Sequence, residues 1–152
     1  RFVQDEGWAC AMRVATFRQF ADALDADPQA TLLRFLALQV KGDDHAHGTL
    51  RLLRTELAQR PAASRAGLRQ GLDLLLANDL RDELAALDCP QHWWFGARDT
   101  LVPAAAAAAV RTLAPAAEVR LIAGAGHAPC LSHPHDCLEG LGCPPGVAHG
   151  HG

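Results

Sequence analysis

The sequence predicts an α/β fold, parallel strands with flanking helices, carrying an all-helical segment. Three observations predict it. Residues 12–78 read as successive amphipathic helices. From Asp79 onward, short apolar runs bounded by Pro and Gly alternate with helical stretches, the grammar of a parallel sheet. An acid follows the first of those runs and a histidine follows the second, where parallel sheets collect functional groups.

Residues 1–10 read as the end of a strand, carried by Phe2-Val3, with a linker after it. Val14, Phe17 and Phe20 begin an amphipathic pattern that runs to Leu24. Asp27-Pro28 then supplies a cap with proline at the first helical position. Leu32, Phe35, Leu36 and Val40 form one apolar stripe, which Lys41-Gly42 ends with a left-handed glycine. A third helix carries Leu50, Leu53 and Leu57 and stops before Pro61, and a fourth carries Leu68, Leu72, Leu75 and Leu76. Helices this short hold together only by packing on something else.

Asp79 to Leu84 reads as a short helix with acids in its first turn, ended by Cys89-Pro90. His92-Trp93-Trp94-Phe95, between Pro90 and Gly96, reads as a buried strand. Pro103 opens an alanine-rich helix through Leu113, and residues 118–122 alternate as a second strand. Pro134 opens a last helix to Leu141, and the Gly/Pro/His tail from 142 to 152 reads as disordered.

Composition narrows the function classes. A chain of 152 residues with 49% hydrophobic and 20% charged residues is globular, which excludes an intrinsically disordered protein. A net charge of -3 argues against nucleic-acid binding. No run of 18 apolar residues is free of charge, so no membrane-spanning helix is expected. The chain starts at Arg1 without methionine, so its gene product is expected to begin further upstream. The five cysteines, an odd number without a Cys-x-x-Cys pair, read as reduced thiols of a cytoplasmic protein. Histidines pair at 45/47, 133/135 and 149/151, but no carboxylate or thiol stands at ligand spacing from them, so no metal site is expected.

Asp99 after one strand and His127 after the next would lie side by side at one sheet edge. Such a pair holds an imidazole in one tautomer and stabilises its cation during proton transfer. A plainer reading also fits: Asp99 as a turn residue, His127 as a satisfied loop histidine.

The words around the pair carry a resemblance. Phe95-Gly96-Ala97-Arg98-Asp99-Thr100-Leu101-Val102-Pro103 resembles the acid motif of α/β-hydrolases. Ala125-Gly126-His127-Ala128-Pro129, followed by Ser132-His133-Pro134, resembles their histidine motif. Arg34-Phe35-Leu36-Ala37-Leu38-Gln39, Gly71-Leu72-Asp73-Leu74-Leu75 and Asp79-Leu80-Arg81 resemble the pimeloyl-[acyl-carrier protein] methyl ester esterases of biotin synthesis. The resemblance runs from Arg1 to about Leu141. It implies the C-terminal part of an α/β-hydrolase core at 79–141, with residues 11–78 as an inserted helical lid. It implies a serine carboxylesterase, monomeric when complete, that needs no metal or cofactor and acts on acyl carrier protein bearing a pimeloyl methyl ester.

That family's catalytic order is serine, acid, histidine. The only serines here are Ser64 and Ser132, and neither stands in G-x-S-x-G, so the resemblance implies a C-terminal portion without its nucleophile. Asp99 and His127 take the acid and base roles. Phe35, Leu36, Ala37, Leu38 and Gln39, with His127, would line the acyl pocket; for the middle three, plain helix core fits as well. Arg34 and Arg51 match lid arginines that face the carrier, whereas two further family arginines fall on His47 and Ala30 here.

Charge agrees in sign with an acidic partner. Seven basic residues (Arg34, Lys41, Arg51, Arg54, Arg60, Arg65, Arg69) face three acids between 34 and 69, and residues 79–152 hold four arginines against eight acids. A solvated helix face explains the same pattern. Two alternatives therefore stand beside the esterase: another ester or lactone hydrolase of this fold, and a non-catalytic module that binds an acidic protein.

Overall fold

The computed structural model describes residues 1–141, so the tail expectation for 142–152 lies outside the described residues. Ten elements follow one another. Four helices come first: α1 (Val14–Ala26), α2 (Pro28–Gln39), α3 (Ala46–Ala58) and α4 (Arg65–Ala77). Then come α5 (Arg81–Ala85), β1 (His92–Gly96), α6 (Ala105–Leu113), β2 (Glu118–Ile122), α7 (Pro129–Ser132) and α8 (Pro134–Glu139).

The caps act as their residue types dictate. Asp27 accepts from the Ala30 amide at 3.0 Å ahead of Pro28, and Ser64 accepts from Gly67 at 3.0 Å to open α4. Gly42 takes the left-handed conformation, φ 82°, two residues after the C-cap Val40. Inside the four-helix segment, Phe17 and Leu24 of α1 and Leu72 of α4 bury against Val3, with Phe2, Phe20, Leu32 and Leu68 packed around them. Val3 is joined to Met12 by an isolated bridge, so residues 2–12 fold back on themselves rather than running on as a ladder.

β1 and β2 pair in parallel, His92 opposite Glu118 through Gly96 opposite Ile122, with α6 as the crossover. Ala106, Ala107 and Val110 form the buried stripe of that alanine-rich helix. Ile122, Ala125 and Cys137 form a second small core beside Trp94. β1 departs from the buried strand expected of its aromatics. His92 is exposed, and Trp93, Trp94 and Phe95 are only half-buried. The cause is topological: a parallel strand is buried when its sheet is covered on both faces, and among the described residues the sheet is only two strands wide, with little to cover it.

Trp93 and Phe95 line an apolar cavity of about 520 Å³ whose other walls include Phe2, Trp8, Met12 and Leu84. Neither Asp99, His127 nor any of residues 35–39 lines it.

Candidate active site

The parallel pairing brings the ends of β1 and β2 together, and the two loops that leave them touch directly. The Ala97 amide donates to Ile122 O and the Arg98 amide to Ala125 O, each at 2.9 Å. The approach is closest at Gly96, where a Cβ would stand 1.8 Å from Gly126 O. A side chain there would force the loops apart, so glycine at the end of β1 is what permits the contact.

Asp99 uses both carboxylate oxygens. Oδ1 accepts from the amides of Leu101 (2.7 Å) and Val102 (3.0 Å), closing the turn into α6. Oδ2 lies 2.8 Å from Nδ1 of His127. One oxygen thus serves the turn and the other meets the imidazole. A carboxylate only accepts, so the Nδ1 proton occupies this bond and Nε2 remains as the acceptor. The Asp99 side chain is 5% exposed and the imidazole 32% exposed, leaving the ring reachable and its partner shielded. That arrangement can draw a proton from a hydroxyl at Nε2 and hold the resulting imidazolium.

Among the described residues no hydroxyl hydrogen-bonds to Nε2. Ser64 is spent as a helix cap. Ser132 is buried in α7, its hydroxyl 2.8 Å from Nδ1 of His133 and 3.3 Å from Ala128 O.

The remaining sequence-predicted residues lie on α2 and α3. Phe35 is half-buried and packs on Phe20 with ring centroids 5.2 Å apart. Leu36 is half-buried, whereas Ala37 and Leu38 are exposed. Gln39 reaches the site through its backbone, its carbonyl accepting from the His127 amide at 2.9 Å. Arg34 is exposed and donates to the Thr31 hydroxyl at 3.3 Å. Arg51 is exposed and makes no ion pair among the described residues. Two cations of the basic stretch are neutralised locally: Arg60 lies 3.7 Å from Glu56, and Arg69 pairs with Asp25 of α1.

Sequence reasoning missed the loop between α2 and α3. Its Asp43 is buried and bonds to Gly126, next to His127. The one available signal was an acid doublet after a helix-ending glycine, Gly42-Asp43-Asp44, which reads as a solvated turn.

Parallel strands with a crossover helix, an acid after one strand and its histidine partner after the next, are the arrangement of part of an α/β-hydrolase fold. Solved structures agree on the fold. A bromoperoxidase from Bacillus anthracis superposes with a TM-score of 0.78 at 22% identity, over 92% of this chain and 52% of that one. An esterase from Exiguobacterium antarcticum gives 0.74 at 20% identity, over 92% and 51%. Within that class, the chain is similar to curated pimeloyl-[acyl-carrier protein] methyl ester esterases. It is 44% identical to the one from Stenotrophomonas maltophilia K279a over 141 residues, 93% of this chain and 54% of the relative. It is 43% identical to that of Xylella fastidiosa M12 over 142 residues, 92% and 56%. The chain thus spans about half the length of the curated relatives it matches. No family model matches it.

Proposed function

We propose that this chain supplies the acid and base of a serine carboxylesterase that hydrolyses the methyl ester of pimeloyl-acyl carrier protein, a step of biotin synthesis. The observation that carries the reading is the Asp99–His127 pair, 2.8 Å apart, in a chain 44% identical to esterases of that name. In the complete enzyme a serine outside this chain attacks the ester carbonyl. Nε2 of His127 takes the hydroxyl proton and passes it to the departing methoxide, releasing methanol. The same nitrogen then takes a proton from water, which attacks the acyl-enzyme, and returns it to the serine. Asp99 keeps the ring in the tautomer that both steps require. The scheme needs no metal or cofactor, and it fits a cytoplasmic monomer.

In this reading residues 11–78 are a lid over the site, inserted into the core whose C-terminal part is 79–141. Phe35 to Gln39 line the acyl pocket, and Arg34 and Arg51 attract the acidic carrier. Another ester or lactone hydrolase would share the acid–histidine pair and lack the preference for a carrier. A binding module would share the cations and lack turnover.

The test uses the full-length gene product, wild type and His127→Ala, on the carrier-bound methyl ester and on a small free methyl ester. Hydrolysis with preference for the carrier-bound ester, falling by about six orders of magnitude in the variant, is expected, as for loss of a triad member. A preference for small esters points to the other hydrolase. Carrier binding without hydrolysis points to the module.

A further inference from the structure

The end of α2 and the loop that follows it, residues 39–45 (the 39–45 loop), meet both strand-end loops. The Gln39 carbonyl accepts from the His127 amide at 2.9 Å, and the Asp44 amide donates to Gly124 O at 3.0 Å. Nη1 of Arg98, one residue before Asp99, donates to Gly42 O at 3.0 Å and pairs with Asp44 at 2.5 Å.

At the centre stands Asp43, its side chain 1% exposed. Oδ2 accepts from the Gly126 amide at 2.7 Å, 83 residues along the chain, and Oδ1 accepts from the His45 amide at 2.7 Å. Nδ1 of His133 lies 4.0 Å from Oδ2, and the His133 ring packs at a tilt against His45 with centroids 4.8 Å apart. Burial works to raise the Asp43 pKa. The hydrogen bonds from Gly126, Ser132 and His45, with the charge of His133, outweigh it and hold the carboxyl below its ordinary range.

A buried carboxylate is a costly way to tie one loop to another. Desolvating a charge is expensive, and a neutral carbonyl would satisfy the same amide. What the charge adds is a stronger and shorter bond than a neutral acceptor makes. That bond falls on the residue immediately before His127, where the packing is close: a Cβ on Gly126 would stand 2.9 Å from Gln39 O.

We propose that Asp43 is a positioning residue for His127: by clamping the Gly126 amide to the 39–45 loop, it sets where the imidazole stands against Asp99. The proposal deepens the esterase reading and rests on it, because the pair it positions is the acid–base half of that site. It also makes this part of the lid a fixed component of the catalytic apparatus.

The test compares wild type, Asp43→Ala, Asp43→Asn and a control, Asp79→Asn, in the full-length gene product. Asp79 also holds a partner through its carboxylate, Arg81, but bonds to neither strand-end loop. Two quantities are read: the low-field proton resonance of the His127 Nδ1–H, assigned by its loss in His127→Ala, and the split between kcat and KM on the carrier-bound ester. Asp43→Ala is expected to shift or broaden that resonance and to lower kcat about tenfold with KM unchanged, the mark of a misplaced catalytic group. Asp43→Asn keeps a carbonyl acceptor for Gly126 and is expected to lose less. Asp79→Asn is expected to lower the melting temperature and leave both quantities alone.

A folded Asp43→Ala with the wild-type resonance and kcat overturns the proposal, as does an equal change in the control. If Asp43→Ala does not fold, Asp43→Asn decides by the same two measures. If the wild type hydrolyses nothing, the esterase reading fails, and the resonance alone still decides whether Asp43 positions His127.

Discussion

Asp79 and Asp99 are both loop carboxylates beside short helices, and they do different work. Asp99 divides its oxygens between a turn and an imidazole. Asp79 gives both oxygens to the Arg81 side chain, at 2.5–3.1 Å, and Arg81 in turn lies over the Trp8 ring. The Arg81 hydrogen bonds pull the Asp79 pKa down from 3.8 to about 2. A carboxyl lowered in the folded state stabilises the fold above its unfolded pKa, and that contribution drains away as pH falls through the folded one. Asp79→Asn in the full-length product is therefore expected to lose stability near neutral pH and to lose less than the wild type as pH drops from about 3.8 toward 2. Thermal melts across that range check it; parallel pH profiles for the two proteins would show that the pair contributes nothing.

Local chemistry made most of the elements legible. Asp27-Pro28, Ser64 and Pro134 each mark a helix start that the structure places within a residue of them, and Pro and Gly bracket both strands. The misses are those that local chemistry does not encode. α7 is a single turn, too short for any periodicity to show. The half-burial of β1 depends on what lies beside it. The role of Asp43 depends on a partner 83 residues away, which no window on the sequence contains. Asp99 and His127 were legible because each follows a strand, and the parallel pairing converts that order into contact.

The helices α2 and α3 also carry the charge expectation. Arg34 and Arg51 are exposed and face no acid among the described residues, so their charge is available to a partner. Replacing both by alanine in the full-length product is expected to lower kcat/KM on the carrier-bound ester about tenfold, in keeping with up to about 1 kcal/mol per exposed pair, and to spare a small ester. The loss should shrink with added salt, which screens exposed charges beyond about 8 Å at physiological strength. Assays of both esters at low and high salt check this; an equal loss on both would make the arginines packing stems.

Two strands make a thin sheet. Among the described residues β1 has a partner on one side only, the cavity beside it is walled mainly by aromatic and aliphatic side chains, and Leu74, Leu80, Leu87 and Leu121 are exposed. Unpaired strand edges and exposed apolar surface invite association. The 152-residue chain expressed alone is therefore expected to bind a hydrophobic dye, melt without a sharp transition and hydrolyse no p-nitrophenyl ester. Dye fluorescence, a thermal scan and an ester assay read these three properties. A cooperative melt without dye binding would show that the chain is self-sufficient as a fold, and hydrolysis abolished by His127→Ala would show that it holds its own nucleophile.

The bonds of the 39–45 loop bear on how this protein could be recombined with its relatives. The obvious seam falls near residues 11 and 78, at the two ends of the four-helix segment. A graft cut at those junctions would carry off the carbonyl that receives the His127 amide and the carboxylate that receives Gly126. The recipient core would keep its acid and histidine and lose what holds them in register. A graft that leaves residues 39–45 with the core, exchanging helices on either side of it, would preserve those bonds. For exchange of parts, the 39–45 loop belongs with the strands.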